Sequence, residues 1–169
     1  SSDLPAVLDR VEHRALRLKR DQAPLTAAQA LNAVFLTAAE FGDACREYPI
    51  FFLRAGNGAS GKPQVAPVAV LGMQPGENLF LQKTADGGTR WDARYVPAML
   101  RAYPFTMAQV QPDQWAVCFD RGWAGFATEG DGEMLFDEKG EPTPFLAGMR
   151  GFVETLEAEI ERKIGRAHV

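Results

Sequence analysis

The chain is poor in the residues that most often carry chemistry. Of its 169 residues, two are cysteine and two are histidine. Cys45 and Cys118 are too few for a disulfide framework, and no clustered ligands stand beside them for zinc. Both lie in apolar sequence and read as buried thiols, although Arg46 gives Cys45 the kind of neighbour a reactive thiolate uses. His168 is next to the C-terminus, and His13 sits among Arg10, Glu12 and Arg14, which read as a solvated surface. Histidine-based nucleophilic or zinc catalysis therefore has little to rest on, and no metal or cofactor is expected. Long apolar runs are missing too. Ala27–Ala39 comes closest, but Gln29, Asn32 and Thr37 interrupt it well short of the roughly 18 residues of a membrane span. With no visible signal peptide, the expected location is cytoplasmic. Positive charge is scarce: 18 Lys and Arg against 22 Asp and Glu leave a net charge of −4. That excludes the broad basic surface on which non-specific nucleic-acid or anionic-membrane binding depends.

What remains is an ordinary globular composition, 46% hydrophobic and 24% charged, long enough for one domain over residues 1–169 with its own core. The charge is unevenly spread. Arg10–Arg20 is basic and Glu129–Glu141 is acidic, which reads as two solvated surfaces that face each other. Within the first, Leu16 and Leu18 alternate with Arg17 and Lys19, as in an edge strand.

Thr37 with Glu40 three residues on is a capping box, flanked by Leu36 and Phe41 at the staple positions. It predicts a helix from about Ala38 to Glu47, stopped before Pro49, and gives Glu40 a structural task. Pro49–Leu53 is apolar on both faces and reads as a central strand. Val65–Leu71 and Leu79–Gln82 read as a hairpin around Gln74-Pro75-Gly76-Glu77, which suits a type II turn. Asp86–Thr89 is a turn, and Tyr95–Arg101 a short helix with Pro97 in its first turn. Phe105–Val110 and Trp115–Asp120 read as paired strands, and Met134–Phe136 as a short one. In the last segment Phe145, Met149, Phe152, Val153, Leu156, Ile160 and Ile164 step along one helical face, with Glu154, Glu157 and Glu161 opposite.

Two motifs are decoys. Gly56–Lys62 matches GxxxxGK, but Pro63 stands where a phosphate loop needs Ser or Thr, and the following residues are extended rather than helical. Gly130–Glu133 and Asp137–Gly140 lack the ligand spacing of a calcium loop. The more informative cluster is Trp91, Tyr95, Arg101, Tyr103 and Phe105. Arg101 beside aromatic walls could clamp a carboxylate or phosphate, or could instead cap carbonyls while the aromatics fill the core. Tyr48-Pro49 repeats the Tyr103-Pro104 step and offers a further phenol.

The ordered series Ala39-Glu40-Phe41, Tyr48–Phe52, Leu71-Gly72, Glu77–Phe80, Trp91 with Tyr95–Ala98, Leu100-Arg101, Tyr103–Phe105, Val117–Asp120 and Gly132–Asp137 resembles the bacterial SapC family. The resemblance runs from about His13 to the last helix and implies a chain shortened at its C-terminus. It implies an accessory protein associated with the surface layer or with nutrient uptake, and a flavoprotein of tryptophan-halogenase type or a cupin-like protein as partner. It brings no catalytic residues.

The expectation is an α+β fold: a mainly antiparallel sheet of about five strands packed against two principal helices, Ala38–Glu47 and Phe145–Lys163. The leading functional reading is a non-enzymatic accessory or ligand-binding protein, with Arg101, Tyr95, Tyr103 and Trp91 as its recognition surface. The alternatives are an enzyme acting on an amino-acid-like or peptide substrate through Glu40, Asp120, Tyr103 and Arg101, and a scaffold docking a partner or a second copy through the C-terminal helix.

Overall fold

A computed structural model describes residues 5–19, 23–57, 63–112 and 114–164. The stretch 58–62 of the candidate phosphate loop, Arg20, Asp113 and His168 lie outside them. In chain order the elements are β1 (Ala6–Val7), β2 (Arg17–Leu18), α1 (Ala23–Ala28), β3 (Ala33–Phe35), a 3-10 turn (Ala38–Glu40), α2 (Phe41–Ala44), β4 (Ile50–Asn57) and β5 (Pro63–Val70). Then follow β6 (Leu81–Lys83), β7 (Thr89–Trp91), α3 (Ala98–Ala102), β8 (Phe105–Gln111), β9 (Gln114–Phe119), β10 (Phe126–Ala127), β11 (Glu133–Met134) and α4 (Pro144–Ile164). The fold is α+β, and every named pair of strands is antiparallel. The expected single sheet of about five strands is instead divided into three sheets of three strands and one of two.

The chain forms two compact units: Ser1–Pro24 with Ala102–Thr155, and Leu25–Arg101 with Leu156–Val169. The first holds the sheets β1-β9-β8 and β10-β2-β11. The β8–β9 hairpin follows the alternation of its sequence, with Phe105 opposite Phe119 and Thr106 opposite Cys118. Beneath it Phe126 meets Phe105, Phe119 and Trp123 edge to face, with centroids 5.1–6.2 Å apart. Such pairs contribute about 0.5–1.5 kcal/mol each beyond their buried area. β2 is central rather than at an edge, because the acidic segment supplies β11 on one side and β10 takes the other. The basic and acidic stretches do lie side by side, with Arg10 3.9 Å from Glu141. Gly125 lies under the indole of Trp123, where a Cβ would fall 2.0 Å from the ring.

The second unit holds β3-β5-β4 and the β6-β7 hairpin. Its core joins Val34, Leu36, Ala44, Tyr48, Ala69, Leu71 and Leu100. β5, not β4, is the central strand; Ala66, Val68 and Ala69 are buried along it. Among the described residues β4 pairs on one side only, and Phe51, Phe52 and Leu53 are 57%, 62% and 50% exposed. An apolar run on both faces marked a buried strand in the sequence, but β3 and β4 occupy the two sides of β5. The turn at Gln74–Glu77 forms as expected, closed by the Glu77 amide on the Gln74 carbonyl (3.1 Å), with Gly76 at φ +78°. The strands flanking it do not pair as a hairpin, because β6 takes β7 as its partner.

The helix expected over Ala38–Glu47 is a 3-10 turn followed by the single turn of α2. Beyond it short turns continue, with the Glu47 and Tyr48 amides both donating to the Ala44 carbonyl, until Pro49 stops them. The Tyr95–Arg101 helix starts later, at Ala98. In α4, Leu146, Val153 and Leu156 are buried, and Met149, Phe152 and Ile160 half-buried. Thr143 and Pro144 give α4 a cap and a favourable first residue. Two readings are corrected: Cys45 is exposed, and His13 is buried at 8% exposure. Among the described residues no helix is long and apolar enough to cross a membrane.

Candidate functional site

Two carboxylates seven residues apart organise the second unit. Glu40 is 5% exposed. Its Oε2 accepts from the Thr37 amide (2.7 Å) and hydroxyl (3.0 Å), the local cap read from sequence. Its Oε1 accepts from the Tyr95 hydroxyl (2.9 Å) and the Ala98 amide (2.7 Å). Four donors thus compensate one buried negative charge. Glu47 Oε2 accepts from the amides of Arg94 (2.8 Å) and Tyr95 (3.0 Å). The segment from Arg94 to Ala98 is held by acids from one short stretch of turns.

Two relays complete the clamp. Arg101 Nη2 donates to the Tyr95 hydroxyl (3.3 Å), which in turn donates to Glu40. The Arg101 guanidinium lies over the Tyr95 ring, 5.5 Å from its centroid, and its Nε donates to the Val96 carbonyl (3.0 Å). In the other relay Trp91 Nε1 donates to the Tyr48 hydroxyl (2.9 Å), which donates to the Tyr95 carbonyl. Burial pushes the Tyr48 phenol up to about 12, helped by the charge of Glu47. Tyr95 is likewise pushed up to about 12, by burial first and then by its bond to the Glu40 carboxylate.

Beside the clamp lies an open cavity of about 530 Å³, lined by Glu47, Phe80, Arg90, Trp91, Asp92 and Arg94. Phe80 and Trp91 stack at 5.9 Å and 21°, giving it a flat aromatic wall. Arg90 pairs with Asp92 at 2.9 Å. The lining therefore carries two positive and two negative side chains beside that wall.

Of the expected recognition residues, Trp91, Tyr95 and Arg101 are brought together, but by different atoms. Trp91 lines the cavity, while Tyr95 and Arg101 hold the backbone beside it. Tyr103 belongs to the first unit, where its hydroxyl donates to Asp120 and its ring meets Trp123 edge to face. Burial and the Asp120 carboxylate push its phenol up. The two Tyr-Pro steps thus have separate partners. Glu47, Arg90, Asp92 and Arg94 escaped sequence reasoning; only the seven-residue spacing of Glu40 and Glu47 hinted at a shared face. Among the described residues no group of three or more His, Cys, Asp or Glu could hold a metal ion.

The SapC family model matches residues 8–165, running through both units. The chain belongs to the SapC family. The stretches that carried the resemblance in this SapC-family chain include Glu40 and Tyr95, the two partners of one hydrogen bond of the clamp. None of the curated proteins and none of the solved structures compared with it matches.

Proposed function

We propose that this SapC-family protein is a non-enzymatic accessory protein that binds an amino-acid-like or peptide ligand in the cavity beside Trp91. The observation that carries the reading is the lining itself. A flat wall of Phe80 and Trp91 suits an aromatic or apolar side chain, Arg94 suits a carboxylate, and Glu47 and Asp92 suit an ammonium group. Trp91 is then the contact residue of the expected set. Tyr95 and Arg101 are positioning residues, and Tyr103, in the first unit, drops out of the set. Glu40 spends both oxygens on four protein donors, which argues against its use as the acid or base of an enzyme.

A flavoprotein of tryptophan-halogenase type or a cupin-like protein, met in a cytoplasmic setting, is the partner side of this proposal. It also takes in the surface-layer or nutrient-uptake association and the bacterial origin that the resemblance implies. Self-association through α4 is a weaker alternative, since Phe145, Met149, Phe152, Val153, Leu156 and Ile160 of the apolar stripe are already half-buried to buried within one chain.

Calorimetric titration with phenylalanine and with phenylalanine-containing dipeptides tests the reading. Saturable binding is expected, weakened about tenfold in Arg94→Ala, whose fold should be intact because the Glu47 contact is made by its amide. No binding to any of these ligands, or equal affinity in Arg94→Ala, would sink it.

A further inference from the structure

A second cavity lies in the first unit, around the histidine that its sequence neighbours disguised. The chain after β1 makes a tight turn. Asp9 Oδ1 accepts from the amides of Val11 (2.7 Å) and Glu12 (2.9 Å), which hold its carboxyl below the usual range. The His13 amide donates to the Asp9 carbonyl (3.0 Å), and the Asp9 amide donates back to His13 Nδ1 (2.9 Å). Because Nδ1 accepts, the neutral ring carries its proton on Nε2. The ring is fixed edge-on against Phe119, 4.9 Å between centroids.

Nε2 has no hydrogen bond among the described residues, and His13 lines a cavity of about 230 Å³ with Phe119, Phe126, Thr128, Glu12 and Arg121. Glu12 Oε1 sits 3.0 Å from Arg121 Nη2 and 3.7 Å from His13 Nε2. The second distance is too long for a hydrogen bond. Arg121 Nη2 and, at longer range, His13 Nε2 thus flank one carboxylate oxygen, that of the chain's own Glu12. This pair is easily displaced, because Glu12 and Arg121 are 65% and 62% exposed, and exposed ion pairs are weak. An apolar cavity of about 150 Å³ already accepts benzene, so this one has room for a ring and a short acid.

We propose that this cavity binds a small aromatic carboxylate of about the size of benzoate. The ring packs against Phe119 and Phe126. The carboxylate takes the place of Glu12, accepting from Arg121 and from His13 Nε2. Glu12 is an internal competitor, so its removal should tighten binding while removal of Arg121 should weaken it.

The test is a titration of the full chain with sodium benzoate, followed by the ring signals of histidine in NMR. The chain has only His13 and His168, and a His168→Gln variant assigns the two. The proposal expects a saturable shift of the His13 signals. Glu12→Ala should bind about three- to tenfold tighter, Arg121→Ala about tenfold weaker, and benzyl alcohol much more weakly than benzoate. Both substitutions fall on exposed side chains, and circular dichroism checks that the variants are folded. Absence of a saturable shift, weaker binding in Glu12→Ala, unchanged binding in Arg121→Ala, or equal binding of benzyl alcohol would each overturn the proposal.

Discussion

Glu40 and Glu12 are both glutamates with aromatic neighbours, Tyr95 for one and His13 beside Phe119 for the other, yet they serve opposite purposes. Glu40 is buried and fully compensated, with two oxygens and four donors. Glu12 is exposed, pairs with one guanidinium, and lies near an imidazole nitrogen that it does not reach. A carboxylate whose hydrogen bonds are complete fixes a backbone. One whose surroundings hold a donor to spare marks a place where something else can bind.

Stability measurements can break or sharpen this contrast. The largest effect is expected for Glu40→Ala, which strands the Thr37 amide, the Tyr95 hydroxyl and the Ala98 amide together. Chemical denaturation should report a loss of about 3–5 kcal/mol. A loss under about 1 kcal/mol would mean that water replaces the carboxylate and that the clamp is not closed.

Tyr95→Phe should cost less, about 1–2 kcal/mol, because Glu40 keeps three donors. It should also change the alkaline limb of the stability curve. Folded Tyr48 and Tyr95 ionise near 12 against 10.0 for a free phenol. The unfolded chain releases these protons first, so their contribution is complete below pH 10 and is lost as pH rises toward 12. Removing one phenol should make that decline shallower, and an unchanged slope would place Tyr95 outside the network. The smallest change is expected for Glu12→Ala, within about 1 kcal/mol of wild type. A large loss there would make Glu12 a second Glu40 and erase the distinction.

Local order was legible in the chain. Thr37 and Glu40 announced their cap, Pro75-Gly76 their turn, the alternation at 105–119 its hairpin, and the apolar stripe its terminal helix. Each depends on residues a few positions apart. Strand order was not legible: alternation made β2 look like an edge and an apolar run made β4 look central, whereas neighbours across the sheet give the reverse. The same limit hid the sites. Glu40 reaches Tyr95 and Ala98 across more than fifty residues, Glu12 reaches Arg121 across 109, and nothing near His13 in sequence hints at Phe119. Arg101 and Trp91 stood out in sequence by their company, but their partners are set by the fold: Trp91 donates to Tyr48, and Arg101 to Tyr95 and Val96.

The exposed face of β4 has a practical consequence. Phe51, Phe52 and Leu53 run without a charge until Arg54, on a strand with one hydrogen-bonding side unmatched among the described residues. Sheet edges of this kind template the addition of further strands, and natural proteins guard them with lysine, proline or a covering segment. Arg54 is the first charge after that run, so this edge is where an added strand would meet the least resistance in the second unit.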